Sequence, residues 1–237
     1  MNAFSNFVSS FKTPSPEDFD KHGFLTPKQF LESGDQLTLM GWKWEKVDDN
    51  KKLNKSLTDP KKQFLTFQGR SLTESKRMFL MIQKRKLIVK DLLRLANKKA
   101  KKKQINRQSN AQDNQEEEEE MRIYNFSITY DTYYHVPRIW FSGVDENQKP
   151  LKKEQMFEDV MPEYRDETVT LEKHPHLGYD QMTIHPCKHS QILKSFIDQA
   201  KENGRTIKPN QALIIFLKFV GSVLPTLEIE TTTDLEI

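Results

Sequence analysis

The chain predicts an α+β fold, a mainly antiparallel sheet flanked by helices, on three observations. Short β-type runs fill the first two thirds of its 237 residues. Two segments with helical periodicity close the chain after residue 187. Between the runs lies a stretch, 98–120, whose composition cannot build a core.

Taken in order, residues 1–12 place Phe4, Phe7, Val8 and Phe11 on one face of a short helix, ended by Pro14 and Pro16. Twelve residues rarely stay helical alone in water, so the segment needs a surface, either its own core or a membrane. Residues 1–20 are thus set apart as an N-terminal amphipathic segment. Thr26-Pro27 predicts a helix start, with Phe30 and Leu31 behind it. Gly34-Asp35 reads as a turn, and Leu37, Leu39, Trp42, Trp44 and Val47 as strand. Gln63–Phe67 reads as a second strand, and Leu87–Leu95 as a helix.

Residues 98–120 hold one strongly apolar side chain, Ile105, and end in the run Glu116–Glu120. They are expected to form a flexible charged insert, because they offer too little apolar surface to offset ordering entropy. A plain linker and a docking segment for a partner both fit. The folded core is then expected over 21–97 and 121–237.

Beyond the insert, Ile123–Tyr130 and Arg138–Phe141 read as strands, with a turn signal at Val136-Pro137. A short helical pattern occupies Pro150–Met161, and Thr168–Leu171 reads as strand. Ile192, Leu193, Phe196, Ile197 and Ala200 mark a helix stopped at Asn203-Gly204, and Pro209 opens the last one.

The balance of 37 basic and 34 acidic residues, net +3, carries no nucleic-acid signature. A single cysteine makes no internal disulfide. With no signal-peptide pattern and no apolar run near 20 residues, the chain is expected to be soluble and intracellular.

That cysteine, Cys187, sits in Thr183-Ile184-His185-Pro186-Cys187-Lys188-His189, just ahead of a helix. Adjacent cations and a helix N-terminus favour a thiolate, and Pro186 is expected to hold the thiol out of regular structure. A buried, inert cysteine, a zinc ligand with His185 and His189, and a hydrolase nucleophile served by His174, His176 or His185 are the competing readings. Spacing alone does not choose among them.

His185-Pro186-Cys187, Ile128–Asp131 with Tyr134, Val136-Pro137-Arg138, Thr168-Val169-Thr170, Phe216–Phe219 and Gly23–Pro27 together resemble the autophagy-related ubiquitin-like conjugating enzymes. The resemblance implies a ubiquitin-conjugating-enzyme-like fold needing no cofactor or metal. Cys187 would form a thioester with a ubiquitin-like protein delivered by an ATP-dependent activating enzyme. The N-terminal segment and Phe216–Phe219 are similar to the member that transfers to phosphatidylethanolamine; a sister member transfers to a protein lysine, and a non-catalytic binding protein is the further alternative. Thr168 matches the family's threonine where ordinary ubiquitin-conjugating enzymes carry an asparagine, implying a role in oxyanion stabilisation or orientation. His185 is expected to shape the loop. Phe4, Phe7, Val8 and Phe11 would enter membranes, and the protein would be cytoplasmic, transiently on autophagic membranes.

The insert departs from the family, whose members often carry there an aromatic-x-x-aliphatic acidic motif; here it has no aromatic residue. Phe157-Glu158-Asp159-Val160 and Trp44-Glu45-Lys46-Val47 match that pattern but are expected to be core. Residues 98–120 and the helix before them are the candidates for docking the activating enzyme.

Overall fold

The computed structural model describes residues 13–47, 54–70 and 122–226. The N-terminal face of Phe4, Phe7, Val8 and Phe11, the helix expected over 87–95 and the insert 98–120 lie outside them.

Two helices open the described chain, α1 (Asp18–His22) and α2 (Pro27–Thr38). Short α1 is an addition to the expected elements; it brings Phe19 into the core. At α2, Thr26 Oγ1 accepts the Gln29 N–H at 3.1 Å and Gln29 Oε1 accepts the Thr26 N–H at 2.9 Å. This reciprocal cap satisfies two otherwise orphaned donors and, with Pro27 in first position, sets the helix start.

The turn expected at Gly34-Asp35 is instead the middle of α2, and the strand expected from Leu37 shrinks to β1 (Lys43–Glu45). Tertiary packing overrides local propensity here. The Trp44 ring lies so close that a Cβ on Gly34 would meet its Cζ2 at 2.2 Å. Trp44 Nε1 also donates to Asp35 Oδ1 at 2.8 Å. Glycine serves this helix as a packing notch.

One six-stranded sheet runs through the domain, completed by β2 (Phe64–Arg70), β3 (Ile123–Asp131), β4 (Val136–Val144), β5 (Val169–Lys173) and β6 (Asp180–Ile184). The order is β1-β2-β3-β4-β6-β5, and every neighbouring pair is antiparallel. The expected turn at Val136-Pro137 moves upstream to residues 132–135, and Pro137 stands within β4 opposite Tyr130.

Alternation along β3 sends Tyr124, Phe126, Ile128 and Tyr130 to one face of the sheet, where the core lies. Helices α4 (His189–Glu202) and α5 (Ala212–Val223) close that core with α2. α5 is buried on nearly every side, from Ala212 to Leu217 without a break. α4 buries one stripe, Leu193, Ile197 and Ala200, and ends at Asn203, followed by Gly204 at φ +72°.

Between β4 and β5 runs the short helix α3 (Lys153–Glu158). Phe157, Val160 and Val47 are buried and Trp44 partly so, as expected of core rather than docking motifs. On the opposite face of the sheet the connection after β5 folds back. His174 Nδ1 accepts the N–H groups of His176 at 3.1 Å and Leu177 at 3.0 Å. Its Nε2–H is thereby left to donate to Ser127 Oγ at 3.0 Å. Among the described residues, no helix is long and apolar enough to cross a membrane.

Candidate active site

Cys187 stands where β6 gives way to α4. The strand ends at Ile184, His185 continues in extended conformation at φ −62° and ψ 129°, and a single 3-10 turn, Pro186–Lys188, leads into the helix. Pro186 thus starts this turn, and the residue it holds extended is His185. Cys187 sits inside the turn, and its thiol is nonetheless exposed. That exposure excludes a buried cysteine. Among the described residues no three His, Cys, Asp or Glu side chains group around a possible metal position.

His185 shapes the turn. Its Nδ1 accepts the Cys187 N–H at 3.3 Å, so this side chain caps the turn carrying the thiol. Its own N–H donates to the Thr168 carbonyl at 2.8 Å. Thr168 immediately precedes β5, and its N–H donates to Tyr164 O at 3.2 Å. The structure therefore links Thr168, His185 and Cys187 through one backbone hydrogen bond and one bond to the His185 ring. Thr168 is half-buried, and its recorded tie to the cysteine turn runs through its backbone carbonyl.

Three residues of the surrounding hairpin and strands gained no role from sequence spacing. Tyr134 closes the β3–β4 hairpin, with its ring edge-on to His185 at 5.8 Å between centroids. Burial, then the neighbouring Cys187, Tyr133 and Asp131, pushes its phenol above the usual range. Its N–H donates to Asp131 Oδ1 at 2.9 Å. Arg138 on β4 donates through Nη2 to Glu172 on β5 at 2.6 Å, and the Glu172 carboxylate lies within electrostatic reach of His185. Partial burial opposes ionisation of Glu172, but hydrogen bonds from Thr170 and Arg138 hold its carboxyl below the usual range. The only sequence-level sign of Tyr134 and Arg138 is their place in the motifs that carry the resemblance.

His189, two residues after the cysteine, faces away from it. The ring is buried against Phe216 and Phe219, at 5.0 and 5.5 Å between centroids. Its Nδ1 donates to Pro137 O at 2.9 Å, and Nε2 finds no partner among the described residues. Burial depresses its pKa to about 4, which keeps the imidazole neutral. His189 anchors α4 to β4 and is not available as a base.

An antiparallel sheet ending in an exposed cysteine turn, with two helices closing the core, defines the class: an α+β domain of ubiquitin-conjugating-enzyme-like fold. Within it the protein belongs to the autophagocytosis associated family, whose active-site-domain model matches residues 29–231, Cys187 included. The chain is similar to autophagy-related protein 3 of Dictyostelium discoideum, 46% identical over 115 residues, which are 48% of this chain and 34% of that one. It is similar to autophagy-related protein 3 of Arabidopsis thaliana, 41% identical over 116 residues, 49% of this chain and 37% of the other. With autophagy-related protein 3 of Meyerozyma guilliermondii it shares 27% identity over 272 residues, covering 92% of each. The matches to the first two thus span little more than a third of those relatives' own length.

Proposed function

We propose that the protein is the conjugating enzyme of an autophagy ubiquitin-like system and that it transfers its cargo to phosphatidylethanolamine. The observation that carries this reading is the exposed thiol of Cys187, capped by His185 on a turn between strand and helix. Family membership supports the same chemistry.

In the first step the Cys187 thiolate attacks the C-terminal glycyl carbonyl of the ubiquitin-like protein, held as a thioester on an ATP-dependent activating enzyme. A new S–C bond forms and the activating enzyme's thiolate leaves. The amine of phosphatidylethanolamine then attacks that carbonyl, an amide forms, Cys187 departs as thiolate, and the amine gives up a proton. A thioester acylates amines readily, so this domain's task is to orient the amine and stabilise the tetrahedral oxyanion. Thr168, tied through its carbonyl to His185, is our candidate for that task.

The acceptor explains the N-terminal segment. Phe4, Phe7, Val8 and Phe11 are proposed to enter the headgroup–acyl boundary, each side chain contributing about 1.5–3 kcal/mol before folding and immobilisation take much of it back. Binding is then weak and sensitive to lipid packing, and the protein is cytoplasmic and only transiently on autophagic membranes.

The test is a non-reducing gel after mixing the protein with ATP, the activating enzyme and the free ubiquitin-like protein. A reductant-sensitive adduct lost in Cys187→Ala supports the thioester, and its discharge onto phosphatidylethanolamine vesicles supports the acceptor. No adduct with a charged activating enzyme overturns the reading; discharge onto protein lysine alone assigns the sister activity. Phe7→Asp is expected to abolish vesicle binding and lipid transfer together.

A further inference from the structure

We propose that Arg138 is a positioning residue for the transfer step, fastening both walls of the Cys187 turn without touching the thiol. This inference rests on the reading of Cys187 as the thioester cysteine.

The Arg138 side chain is 13% exposed, and its guanidinium is engaged on every edge. Nη2 donates to Glu172 Oε2 at 2.6 Å, Nε donates to Thr183 Oγ1 at 3.0 Å, and Nη1 pairs with Asp131 Oδ2 at 3.8 Å. Its flat face covers the Trp140 ring, 4.3 Å from the centroid. From β4, one side chain therefore grips β3, β6 and β5. A planar fork of five donors serves all three partners at once; the ammonium of lysine, a point charge, supplies the counter-charge without the fork geometry.

What its partners hold makes the arrangement more than a brace. Asp131 presents its other oxygen, Oδ1, to the N–H groups of Tyr133 at 3.0 Å and Tyr134 at 2.9 Å, which sets the hairpin that aims Tyr134 at His185. Glu172 takes the Thr170 hydroxyl on its other oxygen at 2.7 Å, and two residues earlier the Thr168 carbonyl holds His185. The hairpin wall and the β5 wall of the turn are thus referred to one cation. Without it, the Asp131 and Glu172 carboxylates lose their shared counter-charge, and neither wall keeps its place relative to His185.

Such a residue acts on the geometry of the reacting thioester and not on the acceptor. Discharge onto vesicles of phosphatidylethanolamine and phosphatidylcholine separates the two. Arg138→Gln is expected to lower kcat about tenfold with KM for vesicle phosphatidylethanolamine unchanged, and Arg138→Lys to recover about threefold of that loss. Glu172→Gln cuts a single leg at a side chain that is 38% exposed, so it keeps the fold; it is expected to lower kcat about threefold, again at constant KM. Should Arg138→Gln fail to fold, Glu172→Gln carries the test. Unchanged kcat in the folded variants overturns the proposal. So does a matched change in kcat and KM, or a Lys variant no better than Gln. If the wild-type protein forms no thioester, the reading of Cys187 falls and this inference with it; if it charges and discharges normally, any failure belongs to Arg138 alone.

Discussion

The backbone N–H of Cys187 donates to Nδ1 of His185 at 3.3 Å, so the turn that presents the thiol is capped by the side chain two residues before it. The bond needs an acceptor at that position and nothing more of the imidazole. His185→Asn, whose amide oxygen can accept the same N–H, is expected to keep thioester formation within about twofold. His185→Ala forfeits a bond of about 1 kcal/mol and is expected to slow it about fivefold. Rates of adduct formation on non-reducing gels decide between them. A role in proton transfer would instead make the Asn variant as poor as Ala.

His189 ties stability to pH. Its folded-state pKa, about 4, lies below the ordinary 6.5, so between these values the unfolded chain binds more protons than the folded one. The contribution of the neutral ring is complete above pH 6.5 and is lost as pH falls through 4, up to about 3 kcal/mol in all. His189→Asn can still donate to Pro137 O without titrating. Urea unfolding of both proteins from pH 7 to 4 is expected to show the variant with the flatter profile, the gap between them narrowing as acid is added.

Gly23, at φ +74°, lies against the first turn of α4. A Cβ there would meet the Ser190 carbonyl oxygen at 2.1 Å, a backbone atom that cannot swing aside. Gly23→Ala therefore combines left-handed strain with overpacking and is expected to cost about 2–4 kcal/mol. Because Ser190 is three residues from Cys187, thioester formation by the folded fraction should also slow, which chemical unfolding and gel assays on one preparation would show.

A buried carboxylate holds the far end of the sheet. Asp159 Oδ2 accepts from Tyr124 Oη at 2.6 Å and Arg122 Nη1 at 3.3 Å, while Oδ1 accepts from Thr226 Oγ1 at 2.7 Å. Asp159→Asn keeps the shape but removes the charge opposite Arg122, which retains Glu158 at 2.6 Å. With that second partner in place, the expected loss in urea unfolding is about 2–3 kcal/mol, at or below the lower bound for a broken buried pair.

Residues whose environment is set by near neighbours are legible without coordinates. The i, i+3, i+4 stripe of α4, its stop at Asn203-Gly204, the Thr26-Pro27 helix start and the lone cysteine ahead of a helix all follow from local chemistry. The antiparallel, helix-flanked character of the fold follows from the order of those pieces. Cys187 can be singled out but not shown to be accessible, since a cysteine is as chemically suited to a core as to a surface. Gly34 reads as a turn because the ring that fills its notch, Trp44, belongs to another element. Strand β6 gives no signal of its own, since Asp180 and Gln181 carry no alternating pattern; pairing with both β4 and β5 makes it a strand. Arg138 meets Glu172 and Thr183 across 34 and 45 residues of chain. Periodicity and capping act within a few residues, so the sequence by itself determined most of the helices and several strands and singled out Cys187 as a candidate. Strand register acts across the whole chain, and it decided which side chains surround the turn that carries Cys187 and hold that turn in place.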